Sequence, residues 1–295
     1  MELNEIINKL EVMRKRKNKY VILAISCIFI IMPVTTVASF IADTLGAIIG
    51  FVGVMVLMIV FLKLAGRDTN EYKRMYKENF VVGILNEVFD NVTYKYNSGL
   101  PEQDVRQFGL VKMGNRYSSE DYLKGSYNGI GFEQAEVTIK YDKNSDDTQL
   151  RFKGRMIAFD FPFKEVKSVQ VFSKSFHYRD TPKVSGVMQS VEMENTDFNK
   201  RFDVLAADPV DAFYVLTPQF MERVDFLKEK YMHVGMNFQG NKLYVGIWTS
   251  GDAFDGDTTR TVNLLDEKAT IMKDVRVITD IIDVLGMMRD KEENM

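Results

Sequence analysis

YVILAISCIFIIMPVTTVASF (Tyr20–Phe40) and, after the four residues IADT, LGAIIGFVGVMVLMIVFL (Leu45–Leu62) decide how this chain is read. Neither run carries a charged residue, and only Asp43 interrupts the apolar stretch between them. At ~1.5 Å of rise per residue, each run is long enough to cross a hydrocarbon layer of ~30 Å with its flanks. The connection is short, so the expected arrangement is a two-helix transmembrane hairpin. The first run is too long for the core of a cleaved leader, and a second run follows it.

The basic residues around the hairpin are lopsided. Lys9, Arg14, Lys15, Arg16, Lys17 and Lys19 precede it, and Lys63, Arg67, Lys73, Arg74 and Lys77 follow it. The turn has none. Basic flanks are retained in the cytoplasm, so the expected location is the cell membrane, multi-pass, with both termini cytoplasmic. Cys27 is the only cysteine, which excludes an intrachain disulfide and a thiolate metal cluster. Residues 1–19 carry +3 and Asp43 carries −1, while the whole chain carries −3, so residues 63–295 carry −5. An acidic body argues against nucleic acid as a partner, which needs a basic face. The bilayer is the expected partner for the basic tail.

The chain divides on this reading into a basic tail (1–19), the hairpin (20–64), an amphipathic stalk helix (65–97) and an α+β domain (98–295). In the stalk, Tyr72, Met75, Tyr76, Phe80, Ile84, Leu85, Val88 and Phe89 recur at spacings of three and four. Asp68 or Thr69 is placed to cap it, and Gly66 to act as a joint. Beyond it, Ser98–Val111 reads as a short helix. Asp121–Tyr127 and Gly131–Tyr141 flank Asn128-Gly129, a dipeptide that favours a tight hairpin turn. Gln149–Phe163, Ser168–Ser173 and Phe202–Ala206 read as strands. Pro209–Leu216 and Pro218–Tyr231 read as helices, each with proline near its start. His233–Phe238 and Lys242–Trp248 read as a second hairpin about Gly240-Asn241, and Asn263–Arg289 as a closing helix. Antiparallel hairpins with flanking helices make an α+β body, not a doubly wound one.

Four segments are similar to a known bacterial family. They are FGLVKMGNRYSSEDYLKGSYNGIGFEQAEV (Phe108–Val137), FKGRMIAFDFPF (Phe152–Phe163), DFNKRFDVLAADPVDAFYVLTPQFMERV (Asp197–Val224) and KLYVGI (Lys242–Ile247). In one order, they resemble the uncharacterised domain-of-unknown-function family thirty-one thirty-seven. The resemblance implies two N-terminal spans followed by one soluble domain. It implies no activity, because the family has none assigned. It also implies an association with small helical membrane proteins of the LemA type.

The polar motifs carry little chemistry. His177 and His233 share no metal-ligand spacing, and neither a phosphate-cradling loop nor a G-x-S-x-G turn occurs. No cofactor is expected. Arg116, Glu120 and Asp121, with Arg201, are the candidate ligand-binding residues; the competing reading is a serine-capped turn held by an arginine–carboxylate pair. Asp252, Asp255 and Asp257 are the candidate metal ligands, because hard cations take clustered oxygens; the competing reading is a solvated turn. Ala38, Ala42, Gly46 and Gly50 follow a small-xxx-small spacing, and Gly46 and Gly50 are placed to pack helices within the hairpin or between protomers. The expected function is therefore a membrane-tethered, cytoplasmic protein-interaction module without catalytic activity, whose partner is of the LemA type or a second copy. The alternative is a membrane-anchored sensor of a small ligand or lipid head group.

Overall fold

The computed structural model describes residues 3–144, 147–160, 166–176, 188–249 and 251–286. The chain forms two compact units, Met1–Val81 with Asp255–Thr270, and Val82–Phe254 with Ile271–Met295.

In the first unit one helical element, α1, runs Leu3–Tyr76, and a π-helical turn, Lys77–Val81, follows it. The sequence reading sets two helices and a turn here. The structure carries one element, because only Ala42 and Asp43 leave helical φ/ψ and no loop intervenes. Asp43 takes the left-handed φ of 50° that acidic residues tolerate better than most. Residues on either side of this break meet. Tyr20 stacks on Phe61 at 6.5 Å, and a Cβ at Gly50 would touch the side chains of Ala38 and Val34. A Cβ at Gly46 would lie 2.1 Å from the Ala38 carbonyl oxygen, so only glycine fits that approach.

Nearer its ends the element turns polar. Arg16 forks onto Asp68 with two bonds of 2.7 Å, and the Asp68 side chain is fully buried. The expected cap at Asp68 is thus corrected: helix continues through it, and its carboxylate is spent on an arginine. Thr69 bonds back to the Ala65 carbonyl instead of capping, and Gly66 sits inside the helix. The segment 255–262 is bound to both sides of the break. Asp255 takes Lys73 at 2.5 Å and Lys77 at 2.8 Å, and the Val262 N–H donates to Glu11 at 2.7 Å. Tyr76 donates to the buried Glu267 at 2.6 Å.

In the second unit nine strands form one antiparallel sheet among the described residues. They are β1 (Asp90–Lys95), β2 (Arg116–Tyr127), β3 (Ile130–Asn144), β4 (Asp147–Asp160), β5 (Val166–Ser173), β6 (Gln189–Ser190), β7 (Phe202–Ala206), β8 (Val234–Gly240) and β9 (Lys242–Trp248). Their order is β1-β2-β3-β4-β9-β8-β5-β7-β6. The Asn128-Gly129 turn joins β2 to β3 as the dipeptide predicts, with both residues at positive φ. The β8–β9 hairpin lies between β4 and β5. Two readings are corrected. The stalk helix ends at α2 (Val82–Val88) and gives way to β1, and the helix expected over 98–111 is limited to α3 (Glu102–Gln107). His177 lies outside the described residues.

Alternation puts Phe152 and Met156 on one face of β4, and Arg155, Ile157 and Phe159 on the other. The first face packs under α3 and the segment to Met113, with Phe108, Leu110, Val111, Phe172 and Phe176 in one core. That segment lacks ladder partners for its carbonyls, so buried side chains from the sheet supply them: Gln170 donates to Gly109 and Asn237 to Phe108. The helical layer comprises α4 (Thr196–Arg201), α5 (Pro209–Val215), α6 (Pro218–Tyr231) and α7 (Leu264–Leu285). Asp208 and Thr217 cap α5 and α6 before a proline in the first turn, and Tyr231 bonds Asp280 at 2.6 Å to fix α6 on α7.

Phe152 is fully buried, and the single Trp248 meets its ring edge-on at 5.7 Å. Phe152→Ala is expected to cost about 3–5 kcal/mol. Urea unfolding followed by Trp248 fluorescence measures it, and a loss below ~1 kcal/mol would place Phe152 outside the core.

Candidate functional site

Gln134 and Glu136 share the face of β3 opposite Ala135 and Val137. Glu136 lies in register with Glu120 of β2 on one side and Arg155 of β4 on the other. Two glutamates directly opposite repel unless a proton or a cation intervenes. Beside them β2 bulges. Asp121 takes a left-handed φ of 56°, its N–H bonds the Tyr96 carbonyl, and its side chain turns into the interior. There Tyr94 donates to its carboxylate.

Glu136 is 7% exposed and accepts the Ala253 N–H at 2.6 Å. Burial lifts its carboxyl to about 8, the Ala253 bond opposes this, and the nearby Asp121 charge adds to the rise. Arg155 is 1% exposed. Its Nε donates to Gln134 Oε1 at 3.1 Å and its Nη1 to the Asp274 carbonyl at 2.7 Å, while the Asp274 carboxylate stays 3.9 Å away. That carboxylate accepts the Phe254 N–H at 2.9 Å. Phe254 stands 5.3 Å under the guanidinium and edge-on to Tyr94. Two strand side chains and one helix side chain therefore latch the segment 252–254.

Around this latch the surface is concave. A cleft of 650 Å³ is lined by Glu136, Arg155, Asp274 and Asp252, by Lys230–His233 at the end of α6, and by Ile247 and Trp248 of β9. A recess of 160 Å³ shares Glu136 and Asp252 and adds Ser118, Glu120, Thr138 and Lys153. Lys153 bonds Asp252 at 2.9 Å and is the resident cation of that recess.

The residues singled out from sequence are dispersed. Glu120 lines the recess and Asp121 is buried beside it. Arg116 is exposed on Asp142 at the start of β2. Arg201 pairs with Asp225 and adjoins β7, six strand positions from β2, or roughly 29 Å at ~4.8 Å per strand. It does not join the others. Asp252 pairs with Lys153, Asp255 with Lys73 and Lys77, and Asp257 with Arg260 and the Thr259 amide and hydroxyl. Burial penalises the charged Asp255, but its two lysines outweigh this and hold it below the usual range; the Thr259 bonds, with Arg260, hold Asp257 at about 2. Among the described residues no three His, Cys, Asp or Glu are grouped to hold a metal ion. Gly46 and Gly50 lie against residues of their own chain.

Glu136, Arg155, Gln134 and Asp274 are absent from the sequence reading. Alternation in Gly131–Tyr141 assigns the even positions to solvent. The overlooked signal is Phe132, a bulky ring on that supposedly wet face.

Residues 150–287 match the family model described as Protein of unknown function (DUF3137). The family resemblance drawn from the sequence holds over that segment. No curated protein matches the chain. A solved structure that does match is the crystal structure of the mycobacterial trehalose monomycolate transport factor A, TtfA. It is 11% identical, covers 73% of this chain and 97% of its own, and has a TM-score of 0.39. Nothing about this chain's fold or function follows from a likeness of that degree.

Glu136 gives a pH prediction. Its carboxyl titrates at about 4.3 when unfolded and about 8 when folded. Between these values the native state keeps a proton the unfolded state has released, so this group lowers stability as pH rises, by at most about 1.4 kcal/mol per pH unit. Glu136→Gln removes that contribution. Its stability relative to the parent chain should climb from ~pH 5 to ~pH 8 and then level off; a difference independent of pH would refute the assignment.

Proposed function

We propose that this protein is a membrane-anchored binding module. Its apolar arm crosses the bilayer twice as a hairpin closed at Ala42-Asp43, both ends lie on the cytoplasmic side, and the sheet unit is the binding part. One observation carries the reading. Phe29 is 76%, Phe40 87% and Ile41 81% exposed, in a helix long and apolar enough to span a membrane. A core helix of a soluble protein buries such side chains, whereas hydrocarbon covers them without protein. The absence of Lys and Arg from the turn, against the basic flanks on both sides, supports the orientation. The contacts of Gly46 and Gly50 with Ala38 support close packing within one arm. The binding partner on this reading is a membrane protein, of the LemA type that the family resemblance implies, or a second copy.

A second reading is favoured by the cleft at Glu136 and Arg155. There the sheet unit takes up a small ligand, and the anchor holds a sensor at the membrane. The anchoring claim is tested by washing membranes with alkaline carbonate. The full chain is expected to stay in the pellet and to leave it only with detergent. Release by carbonate alone would defeat the proposal.

A further inference from the structure

Arg155 is the most deeply buried cation of the sheet unit, yet it is half used. A guanidinium has five donor hydrogens. Arg155 Nε and Nη1 are bonded as described, but Nη2 has no acceptor among the described residues. Gln134 is fully buried beside it, and its Nε2 likewise has no acceptor among the described residues. Each buried donor left unmet costs about 1–3 kcal/mol. The nearby carboxylates do not meet them: one Asp274 oxygen takes the Phe254 amide, and one Glu136 oxygen takes the Ala253 amide. The cleft wall at Arg155 therefore calls for an acceptor from outside the chain.

The charge around it narrows the choice. Asp252 and Asp274 line the same cleft, as does Glu136, which holds its proton at neutral pH beside Asp121. A bare anion drawn to Arg155 meets that field, and a bare cation drawn to the carboxylates leaves the donors unmet. A ligand with an acceptor at one end and an ammonium at the other satisfies both. Lys230 is engaged with Asp280, and His233 Nδ1 lies 2.9 Å from the Ser175 carbonyl, so neither dominates the cleft. Trp248 and Ile247 add an apolar wall.

We propose that this cleft binds a small zwitterion of the α-amino-acid class, its carboxylate on Arg155 and its ammonium on Asp252 and Asp274. The proposal rests on the second, ligand-binding reading above. The test is isothermal titration calorimetry on the full chain in lipid nanodiscs. The probes are the standard amino acids, with the deaminated acid and the decarboxylated amine of any that binds, and a second panel of sugars, nucleotides and inorganic phosphate. The expected result is saturable binding of at least one amino acid, with both half-ligands at least tenfold weaker. Asp274→Asn and Arg155→Lys, each shown folded by Trp248 fluorescence, are each expected to weaken binding at least tenfold. Equal binding of the deaminated acid, or unchanged affinity in both variants, would overturn the proposal. If only a member of the second panel binds, and Arg155→Lys abolishes it, the zwitterion is wrong while the ligand reading stands. If nothing binds, both fall.

Discussion

Between Tyr20 and Leu62 the helical arm turns its largest side chains outward, and water is a poor solvent for them. Each exposed Phe, Ile or Met left in water forgoes about 1.5–3 kcal/mol of burial, and the arm carries many: Ile22, Phe29, Met32, Phe40, Ile41 and Leu45 all stand more than half exposed. Burial inside its own unit is confined to a few small or polar contacts. Within the apolar stretch Ala24, Cys27 and Val54 are buried, and Gly46 lies on the Ala38 backbone. On the proposed reading hydrocarbon covers that surface. Where the element leaves the apolar stretch it changes chemistry at once. Arg16 forks onto buried Asp68, and Asp255 is shared by Lys73 and Lys77. Breaking one partner of such a pair leaves a buried charge uncompensated, so these contacts fix geometry more than they add stability.

The sheet unit solves a different problem. Its central strands are covered on both faces, yet β3 and β4 bring Gln134, Glu136 and Arg155 inward together. A buried charge without partners would be costly. The chain offsets this with backbone amides from 253 and 254, with the Asp274 carbonyl, and with a proton kept on Glu136 over most of the physiological range. The compensation is incomplete at Arg155 Nη2 and Gln134 Nε2. Buried polar groups are nearly always satisfied in native proteins, and of the described residues with an unmet buried atom Arg155 is the one that lines the cleft.

Much of the fold was legible because its signals are local. Asn128-Gly129 marks a hairpin, and Pro209 and Pro218 mark two helix starts. The misses are non-local. Strand β1 follows a helix after one residue, and its register against β2 shifts between Asp90 and Thr93, which no periodicity announces. The placing of the β8–β9 hairpin between β4 and β5 is a matter of long-range pairing. The candidate site suffered for the same reason. Arg116, Glu120, Asp121 and Arg201 are grouped from the sequence as one candidate site, but sequence distance carries no sheet order, and Arg201 falls at the far side of the sheet. Glu136 and Arg155 were hidden by strand alternation, which marks a face as polar without saying that a helix will cover it.

The bilayer-spanning arm is the claim on which the functional account stands, and cysteine accessibility at its break tests it most directly. In a Cys27→Ser background, Asp43→Cys should react in intact cells with a membrane-impermeant maleimide, while Lys19→Cys should react only after the cells are opened. Labelling at neither position until the cells are opened, or at both before, would contradict it.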